Sequence, residues 1–241
     1  YMLAWGQIER ARYSHIREDY AQAVQHYREA ASLLKKSTPW SYLASNYYAW
    51  EQLERGEDLS RKEQPEEAIQ SFQLAIEYFE KVKNSISNEI EALSLAEEKE
   101  QAARLARASD LRRRYCHARI SLEEAKISER KGEYNQSSQN YEEAAGLLGS
   151  IVSELESEEE KRELRLIMGL SQAWAKMTLA EEQASAEVFL EASQLFEQAK
   201  TYSPSKKTTM LIVGNSSFCK GLAAGAKYQT SLEPAEHARA K

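Results

Sequence analysis

The sequence predicts an all-α protein, an α-solenoid of about five irregular helix hairpins in which one or two helices are unusually long. Three observations carry this expectation. A pattern of small and bulky residues recurs with fixed internal spacing, and its clearest copy is Ala118, Leu122, Ala125, Tyr134, Ser137, Tyr141 and Ala144. The first three share one face of a helix and the last four share one face of the next, at separations of three and four. Only 9 Gly and 4 Pro punctuate 241 residues, too few breakers for an architecture of strands and turns. The chain is 29% charged and 42% hydrophobic, and its abundant Ala, Glu, Gln and Leu favour soluble helices.

The same pattern occurs four more times. Ala4, Ile8, Ala11, Tyr20, Ala23, Tyr27 and Ala30 form the first copy, and Ala49, Leu53, Gly56, Pro65, Ala68, Phe72 and Ala75 the second. Ala173, Met177, Ala180, Phe189, Ala192, Phe196 and Ala199 follow, and Cys219, Ala223, Ala226, Ala235 and Ala238 begin a last one. Of the 19 small-residue slots 16 are Ala, although Ala is only 33 of 241 residues. Small residues let paired helices approach closely while the rings fill the grooves beside them.

In chain order, the first hairpin covers residues 1–36, beginning already inside a helix. Lys35 and Lys36 suit a helix C-terminus, and Pro39, in Ser37-Thr38-Pro39-Trp40, sits just inside the next N-terminus. The second hairpin, 40–84, has a first helix from about Ser41 to Glu57 carrying Tyr42, Tyr47, Tyr48 and Trp50. Its second helix opens at Pro65 with Glu66 and Glu67 in the first turn, and Asn84-Ser85-Ile86-Ser87-Asn88 reads as its stop. Residues 88–131 contain neither Gly nor Pro. The reading adopted is one long helix, on the order of 65 Å at a rise of about 1.5 Å per residue, with Ser109-Asp110 as the alternative break. It forms the third hairpin, 88–150, around the turn Lys131-Gly132-Glu133. The fourth, 156–202, has a lengthened first helix from about Glu156 to Gln183, and Tyr202-Ser203-Pro204-Ser205 turns into the fifth, 207–241. The pattern breaks off at Ala238, three residues before Lys241, so the chain is expected to be one domain and a fragment, or the ordered part, of a longer array.

With Gly132, Tyr134, Tyr141 and Ala144, and with Trp50, Leu53, Gly56, Ala68, Phe72 and Ala75, the chain resembles the tetratricopeptide repeat (TPR) superfamily. That family's period is about 34 residues, whereas the anchors Tyr27, Phe72, Tyr141 and Phe196 are 45, 69 and 55 apart. The stretched connections make the chain more similar to divergent, long-helix relatives of the SNAP type. The resemblance implies a right-handed solenoid and a role in binding proteins.

Composition excludes several classes. A net charge of −6 disfavours a general nucleic-acid surface. No run of 18 apolar residues exists, and Tyr1-Met2-Leu3-Ala4-Trp5 is neither basic nor long enough for a signal peptide, so membrane contact is expected to be peripheral at most. Two Cys 103 residues apart make no disulfide framework, and a reducing cytoplasm is the default compartment. His15, His26, His117 and His237 fall at unrelated places in the repeat, with no HExxH, CxxC or Cys-His spacing. Cys116 and Cys219 read as small packing residues. Adjacent carboxylates such as Glu123 and Glu124 read as a solvated face. No catalytic residue, metal or cofactor is expected.

Two features stand above this background. The residue after the leading small slot is Trp5, Trp50 and Trp174 in copies one, two and four, with Arg119 and Lys220 in copies three and five. These side chains are either rings wedged between hairpins or anchors on a groove made by the first helices, with Trp5, Trp50, Arg119, Lys126 and Trp174 as contacts for a peptide or partner helix. First-helix residues Glu9, Arg12, Glu54, Glu57, Glu123, Lys126 and Glu181 extend that face with mixed charge. Second, Arg104, Arg107, Arg112, Arg113, Arg114 and Arg119 concentrate positive charge, either balancing nearby acids or forming a docking patch for phosphate, an acidic tail or a membrane surface. The sequence-level reading is a non-enzymatic scaffold or adaptor for another protein, with self-association possible. The alternatives are a SNAP-like adaptor for membrane-associated assemblies and a regulatory sensor domain of a larger protein.

Overall fold

The computed structural model describes residues 1–37, 41–93 and 95–239, apart from the side chains of residues 37, 41, 92 and 230–239. The described residues are all-helical: α1 Met2–Ile16, α2 Tyr20–Ser37, α3 Ser41–Arg61, α4 Pro65–Glu89, α5 Ala96–Arg130, α6 Tyr134–Glu154, α7 Glu158–Gln183, α8 Ala186–Ala199 and α9 Lys206–Arg239. Single 3-10 turns, Ile90–Ala92 and Lys200–Tyr202, follow α4 and α8. Consecutive helices from α1 to α4 and from α6 to α9 pack on one another. The Thr38-Pro39-Trp40 helix start and the side chains of Ala235 and Ala238 lie outside the described residues.

The chain divides into two compact units, residues 1–123 and 124–241, with the division inside α5. In the first, α1 packs on α2, α2 on α3 and α3 on α4. Ala4, Ile8, Ala11, Ala23, Tyr27 and Ala30 are buried together with Leu34, Ala44 and Tyr47. Ala49, Leu53, Ala68, Phe72, Ala75, Phe79 and Cys116 form the next cluster. In the second unit, Ala173, Ala192, Phe196, Ile212 and Cys219 form one core, and Ala180, Phe189 and Ala223 another. The recurring small slots are therefore where helices meet, and burial of these apolar faces drives each hairpin together.

Four hairpins close with one turn chemistry. Glu18, Glu63, Gly132 and Ala184 adopt left-handed backbone, with φ of 60°, 60°, 75° and 49°. The following amide in each case bonds back five residues: Asp19 N to Ser14 O at 2.9 Å, Gln64 N to Leu59 O at 3.1 Å, Glu133 N to Ser128 O at 2.9 Å and Ser185 N to Ala180 O at 3.1 Å. This Schellman arrangement satisfies the last carbonyls of the first helix. The fourth turn comes three residues earlier relative to its leading Ala, yet Phe189, Ala192, Phe196 and Ala199 keep their register and are buried. Ser185 and Ser157 cap α8 and α7, accepting from Val188 N and Glu160 N at 3.4 Å each.

The structure corrects three expectations. The Asn84–Asn88 segment does not stop α4, because Val82 and Ile86 are buried on the same face and carry the helix on to Glu89. Residues 88–131 are not one helix: the chain leaves the 3-10 turn with Leu93 extended and buried, and α5 begins at Ala96. Ser109-Asp110 lies within α5 without breaking it, since Ser109 Oγ donates to Leu105 O at 2.8 Å, a bond back along its own helix. Finally, residues 206–239 form a single helix, so four hairpins and one further helix stand where five hairpins were expected.

Candidate functional site

Two sites of charged and aromatic side chains lie within the first unit. The deeper one joins α3 and α5. Arg119, whose side chain is only 12% exposed, donates through Nη1 to Glu57 Oε1 at 2.7 Å and through Nη2 to Ser60 Oγ at 3.0 Å. Ser60 Oγ in turn donates to Glu123 Oε1 at 2.6 Å, and Tyr115 donates to Glu57 Oε1 at 2.9 Å. The guanidinium also lies 5.3 Å from the centroid of the Phe72 ring. Burial opposes its charge, but Glu57, Tyr115 and Glu123 outweigh burial and hold its pKa above the ordinary value. Arg119 is therefore an internal tie rather than an exposed groove contact. Glu57 and Glu123 are buried with it, which corrects the reading of Glu123 as part of a solvated face. The signal in the sequence is that Arg119 stands in the slot filled by Trp in three other copies: a cation among rings requires carboxylates within reach.

The second site is an open cleft of about 540 Å³ among the first helices. Its floor is a column of stacked groups. Tyr47 stacks on Tyr27 at 6.0 Å, Tyr27 on Trp50 at 5.6 Å, and the Arg112 guanidinium covers Trp50 at 4.6 Å. Arg12, His15 and Ile16 of α1 form one wall, and Arg104, Leu105 and Ala108 of α5 the other. Asn46, 4% exposed, lines the cleft, and its Oδ1 has no hydrogen-bond partner. The two tyrosine hydroxyls are pushed above their ordinary range mainly by burial, against the pull of Arg12 and Arg112. Behind His15 lies Glu54, fully buried, with His15 Nδ1 at ion-pair distance, 2.8 Å, from Oε1. Burial raises the pKa of this carboxyl, and His15 partly offsets the rise.

The remaining candidate residues divide as follows. Trp5 packs on the α1–α2–α3 core and meets Tyr1 edge-on at 6.0 Å. Trp174, in the second unit, sits between Tyr141 at 5.9 Å and Phe196 at 6.2 Å. All three tryptophans are half-buried, and Lys126 is half-buried on α5 within the second unit. The basic run is largely neutralised where it stands. Asp110 pairs with Arg113 at 3.1 Å and Arg114 at 3.4 Å, and Arg104 pairs with Glu100 one turn away. Burial works against the Asp110 charge, yet Arg113, Lys83 and Arg114 hold its pKa below the usual value. Arg107 is exposed.

Both thiols are buried, and burial pushes Cys219 up to about 11 and Cys116 higher still, which leaves them as packing groups rather than nucleophiles. Among the described residues, no three metal-ligating side chains converge, and no helix is long and apolar enough to cross a membrane. No protein-family model, curated protein or solved structure matches the chain.

Proposed function

We propose that the chain is a non-enzymatic interaction scaffold or adaptor, a right-handed TPR-like array that binds a peptide or helix of another protein. The observation that carries this reading is the distribution of exposed apolar side chains. Tyr1, Met2, Leu3, Tyr13 and Ile16 at α1, and Met210, Leu211, Val213, Phe218 and Tyr228 on α9, are all exposed. Elsewhere among the described residues, only Leu74 and Leu95 are large, apolar and exposed. Large apolar groups gathered on two helices, instead of scattered singly, mark surfaces that another chain covers. Trp50, with Trp5, Trp174 and Lys126, supplies further contacts on the first helices.

The test is affinity capture from the source cell with the intact protein, a Leu211→Ser/Phe218→Ser variant and a Trp50→Ala variant. A partner held by wild type and lost in the α9 variant, at unchanged thermal stability, is the expected result. Equal capture by all three proteins would overturn the reading. Self-association through the same apolar faces would appear as a concentration-dependent mass in light scattering, abolished in the α9 variant.

The cleft among α1, α3 and α5 favours a second reading, a regulatory sensor, because a cavity is not needed to hold three helices together.

A further inference from the structure

We infer that the cleft among α1, α3 and α5 binds a small organic anion, a molecule carrying a carboxylate or phosphate group on an apolar body. The inference stands independently of the scaffold reading, and four features support it. The cleft measures about 540 Å³, within the range of roughly 300–1,000 Å³ that holds small ligands. Its lining includes Arg12, Arg104 and Arg112 but no carboxylate, in a chain whose net charge is −6. Three guanidiniums converging beside low-dielectric walls are an anion trap.

The acids that meet Arg12 and Arg104 do not compete strongly. Glu9 bonds Arg12 at 2.8 Å and Glu100 bonds Arg104, each within one turn of its own helix, with both partners of each pair more than half exposed. Exposed pairs of this kind are weak, so an anion held between several guanidiniums displaces them readily. The Oδ1 of Asn46, buried without a partner, asks for a donor that the protein does not supply. An N–H or O–H on the ligand fills that role. The faces of Tyr27 and Trp50 are already occupied within the stacked column, so ring edges together with Ile16, Leu105 and Ala108 receive the apolar body.

A bound anion would link α1, α3 and α5, which are not consecutive in sequence, and would raise the stability of this unit by mass action. The experiment is calorimetric titration of the whole chain with phenyl phosphate, phenylacetate, inorganic phosphate and an acetylated hexaglutamate peptide. Saturable one-to-one binding of phenyl phosphate or phenylacetate is expected, tighter than that of inorganic phosphate. The better of the two aromatic probes identifies the anionic group. Affinity should fall at least tenfold in Arg12→Ala/Arg104→Ala, whose melting temperature should match wild type because, among the described residues, the side-chain bonds of both run within their own helices. 4-Hydroxyphenylacetate, which adds an O–H donor, should bind wild type more tightly than phenylacetate, and Asn46→Leu should remove that difference; an unchanged difference would overturn the role given to Asn46. Absence of saturable binding, equal affinity in the double variant, or binding of the peptide alone would overturn the proposal. The Leu211→Ser/Phe218→Ser variant leaves the cleft untouched, so failure of partner capture and failure of anion binding are separable.

Discussion

A methyl group on Gly56 would stand 2.5 Å from Cε1 of Phe72, inside the ring's van der Waals envelope. Gly56 occupies the slot that holds Ala in the other copies, and here the Phe72 ring, whose centroid lies 5.3 Å from the Arg119 guanidinium, uses the missing atom's space. Gly56→Ala is expected to destabilise the protein by about 1–3 kcal/mol through overpacking, against a helix-propensity gain of about 1 kcal/mol. Gly146 is also helical, with nothing within 4 Å of its would-be Cβ, so Gly146→Ala should stabilise by about 0.5–1 kcal/mol. Denaturant melts of the two variants check the opposed signs.

The four left-handed turn residues give a second contrast. Ala184 holds φ of 49° and is exposed, and Ala184→Gly should raise stability by roughly 1 kcal/mol because only the conformational penalty is removed. At Gly132, with φ of 75° and open space around it, Gly132→Ala should cost about 1–2 kcal/mol. If both substitutions were neutral, the shared turn geometry would be wrong.

The Arg119 tie predicts strong coupling. Arg119→Met leaves Glu57 and Glu123 buried without their cation and should cost about 3–5 kcal/mol. Adding Glu57→Gln and Glu123→Gln should recover a large part of that loss, since the uncompensated charges disappear. A double-mutant cycle in chemical denaturation measures the coupling, and additive costs would show that the groups do not act together.

Glu54 sets a pH dependence. Its folded pKa lies above 4.5, raised by burial and only partly restrained by His15. The folded state therefore holds this proton more tightly than the unfolded chain. The stability it contributes is fully present below 4.5 and is lost as pH rises from there through the raised folded value. Relative to Glu54→Gln, the wild type should lose stability over that window, and thermal melts from pH 4 to 8 read the difference. A difference that is flat with pH would contradict this.

Much of the fold is legible in the sequence, for a physical reason. Ala4, Ala11, Ala23 and Ala30, and their counterparts in the next three copies, must be small because helices touch there, so the spacing of touching points is written directly as a spacing of Ala. Helix ends are written less clearly. Asn84–Asn88 carries stop residues, but Val82 and Ile86 on one buried face outweigh them. The site was only half visible. Trp50 announces itself by repetition, whereas Glu54, Glu57 and Glu123 look like surface acids until His15 and Arg119 are placed beside them. The cleft is assembled from α1, α3 and α5, and no local pattern relates Arg12 to Arg104 or marks Asn46 as lining the same cleft.

Each helix of the first unit packs on its neighbours in the chain, α1 on α2, α2 on α3 and α3 on α4, and the second unit repeats this from α6 to α9. Contacts that are close in sequence require little loop closure before they form, so each unit should fold quickly, on the microsecond-to-millisecond scale of low-contact-order helical proteins. The same arrangement makes injury local. A helix at the edge of a unit, such as α1 or α9, can open without carrying the others with it, and amide exchange should be fastest there and slowest around Phe72 and Arg119.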